Sequence, residues 1–150
     1  MKVLIIDDEL KGREVMEYYI NEFFPDLNIT GLASNIQEAK EMILKEDPDL
    51  LFLDVNMPEG SGFELVESVD LKDKMVVFVT AYAKHALQAF KVDAFAYLMK
   101  PINIQELSNV VSKARKKLKD VELISLAKGG DKIKLKVSNS YHIAKVSDII

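Results

Sequence analysis

Cysteine is absent from the sequence. That excludes a disulfide framework, a thiolate metal site and a cysteine nucleophile. It also makes a reducing cytoplasm the simplest home. Histidine is scarce, with only His85 and His142. No apolar run approaches the roughly 20 residues of a membrane-spanning helix. The opening MKVLIIDDEL is too short in its apolar stretch for a secretory signal and lacks a small-residue cleavage site. What is present suits a globular chain: 49% hydrophobic and 29% charged residues. Its 150 residues are enough for one α/β domain and a little more.

The net charge of −4 is unevenly spread. Residues 1–112 hold 10 Lys+Arg and 20 Asp+Glu, giving −10, and residues 113–150 hold 10 and 4, giving +6. The asymmetry reads either as two functional parts or as a basic last helix with a solvated tail.

Short apolar runs alternate with helical periodicity. KVLIID (2–7) is rich in β-branched residues and reads as a strand. Glu9 to Phe24 follows as a helix, with Met16, Ile20 and Phe23 at helical spacing and Pro25 as its stop. NITGLA (28–33) makes a second strand, and Asn35 caps a helix whose Ile36, Ala39 and Ile43 share a face. Pro48 closes that helix before LLFLD (50–54), a fully buried third strand. A short helix spans about Gly62 to Val69. MVVFVTA (75–81) is a fourth strand, a helix lies near 83–91, and FAYLM (95–99) is a fifth strand. Leu107, Val110, Val111, Ala114 and Leu118 mark a last amphipathic helix. Five strands alternating with five helices predict a parallel sheet covered on both faces.

Ligands of such sheets sit beyond the carboxyl ends of the strands. Strand one ends at Asp7 and Asp8, strand three at Asp54, strand four at Thr80 and strand five at Lys100. Asp54 alone would read as an ordinary loop aspartate; with these companions it does not. Crowded carboxylates repel one another and call for a cation. The donors are hard oxygens, which favours Mg²⁺ bridging Asp8, Asp54 and a backbone carbonyl, with Asp7 acting through water. The free oxygen of Asp54 can attack phosphorus, and Lys100, Thr80 and the metal can balance the phosphoryl oxygens.

IIDDE, LDVNMPEGSG, VTAY and YLMKP, in this order and at these spacings, resemble the receiver domain of two-component response regulators. The resemblance covers about residues 1–120. It implies a flavodoxin-like, doubly wound (βα)₅ fold with Asp54 as phosphoacceptor. It implies metal binding by Asp7, Asp8, Asp54 and the Asn56 backbone carbonyl, with Pro58 and Gly62 shaping the loop. Thr80 and Tyr97 become the switch pair, although Tyr97 also reads as a core aromatic. Lys100 becomes the third phosphoryl partner, and the Lys100–Pro101 peptide is expected cis. The implied partner is a sensor histidine kinase, with a homodimer formed on phosphorylation through the fourth helix, fifth strand and fifth helix. The implied activity is switching, not enzymology beyond the domain's own phosphorylation and dephosphorylation. His85 reads either as a phosphodonor or as an exposed helical histidine.

In the tail, KIKLKV (132–137) alternates with period two and Gly129-Gly130 suggests a hairpin turn. Residues 121–150 thus read as a short β-rich segment. It resembles the start of a LytTR-type DNA-binding domain, which would contact DNA only when complete, so the chain is expected to end inside its second domain. Two other functions fit parts of the pattern. An aspartate-nucleophile phosphatase of the haloacid-dehalogenase kind wants an acid two residues after Asp54, where Asn56 stands. A flavodoxin-like cofactor binder would have to hold a phosphate where Asp7 and Asp8 repel it.

Overall fold

The computed structural model describes residues 1–58 and 60–127. The segment 128–150, with its expected hairpin and KIKLKV strand, lies outside the described residues, as does His142. The elements run β1 (Lys2–Ile6), α1 (Leu10–Phe23), β2 (Asn28–Ala33), α2 (Ile36–Glu46) and β3 (Leu50–Leu53). Next come a two-residue antiparallel pair, β4 (Asn56–Met57) and β5 (Gly60–Ser61), and then α3 (Gly62–Ser68). The described chain is completed by β6 (Met75–Thr80), a 3₁₀ turn (Ala83–His85), α4 (Ala86–Lys91), β7 (Ala96–Met99) and α5 (Ile104–Ala127).

Five strands form one parallel sheet in the order β2-β1-β3-β6-β7. The chain first builds leftward from β1 to β2, then returns to build rightward through β3. The order therefore reverses between β1 and β3, and such a switch point opens a crevice at the carboxyl ends of the strands. Register makes this specific. Ile6 pairs with Leu53, so the next residues, Asp7 and Asp54, emerge side by side.

Alternating strand residues feed two cores, because successive side chains point to opposite faces. Val3, Ile5 and Phe52 meet Met16 and Ile20 of α1 and Leu107, Val111 and Ala114 of α5. Leu4, Ile6, Leu51 and Leu53 meet Ala39 and Ile43 of α2 and Phe63 and Leu65 of α3. A variant of the capping box starts α2: Asn35 accepts from Glu38 N at 2.8 Å, and Glu38 reaches back one residue past the cap to accept from Ser34 N at 2.8 Å. Asp47 closes α2 in the left-handed region (φ 50°) ahead of Pro48.

The structure departs from the sequence reading at three points. Phe23 is 51% exposed, and Phe24, one turn of four beyond Ile20, is buried in its place. The loop around Asp54 contains the β4–β5 pair, which no apolar pattern announced. The last helix passes the boundary expected at residue 120 and continues to Ala127, because VELISLA contains no breaker ahead of Gly129. Among the described residues, no helix is long and apolar enough to cross a membrane.

Candidate functional site

Asp7 and Asp54 leave the ends of β1 and β3 almost fully buried, at 6% and 5% exposure. Asp7 is fixed on all sides. Its N–H donates to Ala33 O (3.0 Å), its carbonyl accepts from Arg13 Nη1 (2.7 Å), and its Oδ1 accepts from Glu9 N (3.0 Å). Asp54 N donates to Ile6 O (2.9 Å), and Asp54 Oδ1 accepts from Asn56 N (3.1 Å), which turns the chain just after the strand. Gly60 adopts φ +142°, a conformation open to glycine and little else. A Cβ at Gly62 would stand 2.4 Å from Asp54 O, so only glycine lets α3 begin this close to Asp54.

Lys100 arrives from the end of β7. Thr80 pairs with Met99, and Lys100 N donates to Thr80 O at 2.8 Å. The Lys100–Pro101 peptide is cis, as expected. Lys100 Nζ donates to Asp7 Oδ2 at 2.8 Å and to Asp54 Oδ2 at 2.9 Å, with Glu9 Oε1 at 3.7 Å. Carboxylate oxygens of Asp7, Glu9 and Asp54 lie within 4.8 Å of one another. Asp8 is not in that group. It lines the adjoining cavity of about 530 Å³ together with Asp54, Asn56, Thr80 and Lys100. Sequence reasoning missed Glu9, the third acid of the run Asp7-Asp8-Glu9; an acid run shows its charge but not which side chain turns inward.

Burial works against both charges of the central pair. It pushes the Asp54 carboxyl above the ordinary aspartate value; Lys100 opposes this, Asp7 reinforces it, and the net shift is upward. Burial alone would lower the Lys100 ammonium, but its bonds to Asp7 and Asp54 outweigh that and hold it above the usual lysine range. Three carboxylates thus face one ammonium, and Asp54 remains short of positive charge. A hard dication fits this donor set: the oxygens are present and the charge deficit is of the right sign.

Thr80 is fully buried, and its Oγ1 accepts weakly from Tyr82 N (3.4 Å). Tyr97, paired with Phe78 across the strands, donates its hydroxyl to the Tyr82 carbonyl. Burial, with a smaller contribution from the Asp54 charge, holds the Tyr97 phenol above its ordinary value. Thr80 and Tyr97 are therefore linked through the backbone of one residue, Tyr82, in the β6–α4 loop. His85, expected to be an exposed helical residue, is instead half-buried. It packs edge-on against Phe63 (6.0 Å) and Tyr82 (6.2 Å), and its Nε2 finds no hydrogen-bond partner among the described residues.

Fold and residue placement define a class: a doubly wound α/β domain with an acidic pocket at its topological switch point. The description "Response regulator receiver domain" matches residues 3–112, and the chain belongs to that family. Over its whole length the chain is 33% identical to the sensory transduction protein LytT of Bacillus anthracis, of which it spans 64%. The response regulatory domain of mrkE from Klebsiella pneumoniae superposes with a TM-score of 0.70 at 28% identity, covering 77% of this chain and 96% of that one. Response regulator TrrA from Thermotoga maritima, solved in complex with Mg²⁺–BeF, gives 0.67 at 30% identity, covering 75% and 97%.

Proposed function

We propose that Asp54 accepts a phosphoryl group from a phosphohistidine of a sensor kinase and that the domain switches conformation in response. The observation that carries this reading is the meeting of Asp54 and Lys100 at 2.9 Å beside a second buried carboxylate, at the one place where the strand order reverses. Asp7, Asp8, Asp54 and the Asn56 carbonyl would hold Mg²⁺, which, when bound, supplies positive charge to the phosphoryl oxygens. An oxygen of Asp54 attacks phosphorus. The P–N bond to the histidine breaks, the imidazole leaves with the electron pair, and an aspartyl phosphate remains. Lys100 turns from pairing two carboxylates to pairing a phosphoryl oxygen, and the Thr80 hydroxyl donates to another.

Moving Thr80 disturbs the Tyr82 N–H, and through that residue's backbone the carbonyl that accepts from the Tyr97 hydroxyl. The α4–β7–α5 face then changes, favouring pairing of two copies. This is a population shift driven by contacts that exist only when phosphate is present. The chain catalyses only its own phosphorylation and dephosphorylation. The likeness to LytT over the whole of this chain, which spans 64% of LytT, supports a second, LytTR-type domain beginning after α5, through which the whole protein binds DNA in the cytoplasm and controls transcription. The phosphatase reading is disfavoured by Asn56, which cannot transfer the proton that chemistry requires.

The test is intact mass after incubation with a small phosphodonor and Mg²⁺. The wild type gains about 80 Da, the mass of one phosphoryl group. Asp54→Asn keeps the fold and gains nothing; a gain at the wild-type rate would mean that the acceptor is elsewhere.

A further inference from the structure

The pole of the domain opposite the carboxylates holds a second cavity, of about 700 Å³. It lies between the end of α3, the start of β6, the α4–β7 loop and α5. The one α5 side chain that enters it is Lys117. Neighbouring basic residues Lys113, Arg115, Lys116 and Lys119 are exposed, whereas Lys117 is half-buried. Helical spacing explains the difference. Lys117 follows Val110 and Ala114 along the buried stripe, so its stem lies in the groove against the sheet. Its Nζ stands 5.3 Å from the centroid of the Phe95 ring, near the outer limit for a cation over an aromatic face.

We propose that Lys117 is a modification site, whose amine takes an acyl group from a small acyl phosphate entering this cavity. The neutral Nζ attacks the acyl carbonyl carbon, and the bond from that carbon to the phosphate oxygen breaks. Inorganic phosphate departs with the electron pair, the nitrogen loses a proton to water, and an amide remains. A half-buried lysine is suited to this because desolvation favours the neutral, nucleophilic amine. Burial pushes the Lys117 ammonium below the ordinary lysine value, with Asp93 opposing. The other charges facing it are Glu67 of α3 and Asp70, Lys72 and Lys74 of the α3–β6 loop, with Lys113 and Asp120 one turn away on α5. Lys74 is already engaged with Asp47 and the Pro48 carbonyl. Lys72 offers positive charge to an incoming phosphoryl group. Acylation would delete a cation and its ring contact from the α4–β7–α5 face.

The experiment treats the full chain with acetyl phosphate without Mg²⁺, across a pH series from about 7 to 9, below the ordinary lysine range. Peptide fragmentation then compares acetyl occupancy at Lys113, Lys116, Lys117 and Lys119. Lys117 is expected to react several-fold faster than the other three in the folded protein, and no faster than they do in denaturant. Asp93→Asn should increase its rate further. Equal or slower labelling of Lys117 in the folded protein overturns the proposal, as does an advantage that survives unfolding. Adding Mg²⁺ to the same reagent tests Asp54 separately, because phosphoryl and acetyl gains differ in mass and either can fail alone.

Discussion

β3 and β7 deliver the two halves of the central ion pair, and they are built differently. Every residue of β3 is buried, and the strand lies between β1 and β6 with helices on both faces. β7 is an edge strand in which only Leu98 is buried. The helix before it, α4, has six residues and leaves Leu87 67% and Phe90 82% exposed. Asp54 therefore stands where movement is costly, and Lys100 and Tyr97 stand where it is cheap. That division suits the proposed switch, in which one wall of the pocket would fix the reacting atom and the other would rearrange around it.

Truncating the rigid side should have the largest effect. Leu51→Ala removes a fully buried side chain from the centre of β3 and should cost about 2–5 kcal/mol in denaturant unfolding. A cost below about 1 kcal/mol would make the two strands alike.

Lys100→Ala comes next. It leaves Asp7 and Asp54 facing each other without their cation. The expected cost near neutral pH without metal is about 2–3 kcal/mol, below that of a fully buried pair because the Lys100 side chain is 21% exposed. The deficit should shrink in acid as Asp54 takes up a proton. Phosphorylation should persist, but the conformational response to beryllofluoride should be lost; a full response would remove Lys100 from the mobile wall.

A smaller effect is expected for Asp54→Asn without metal. The folded protein holds the Asp54 proton more tightly than the unfolded chain does. The wild type therefore loses stability as pH rises from about 3.9 through the folded value. The variant lacks that loss and should be the more stable of the two near neutral pH. Thermal unfolding across this range checks the sign, and a parallel pair of curves would show that burial does not strain Asp54. The smallest effect is reserved for Phe90→Ala, within about 0.5 kcal/mol, because its ring is mostly in water.

The same contrast shows what the sequence could tell. Apolar runs such as LLFL and MVVFVT identified their strands, and strand ends identified Asp7, Asp54, Thr80 and Lys100 as neighbours, because parallel register carries that information directly. Phe23 and Phe24 were harder. Adjacent helical residues differ by about 100° around the axis, so a small phase error exchanges the buried ring for the exposed one. Glu9 was invisible as a member of the carboxylate group because backbone pattern does not specify rotamers. The β4–β5 pair depends on the conformation of Gly60, a single dihedral angle with no periodic signature.

α5 begins at Ile104, three residues beyond Pro101, and ends at Ala127 on the opposite pole. Its 24 residues make a rod about 36 Å long. A rod of that length is a lever arm with its short end beside the ammonium of Lys100. A tilt of about 5° at Ile104 carries Ala127 through about 3 Å, more than the width of a hydrogen-bond contact shell. Leu126 and Ala127, the last described residues, ride on the long end of that lever.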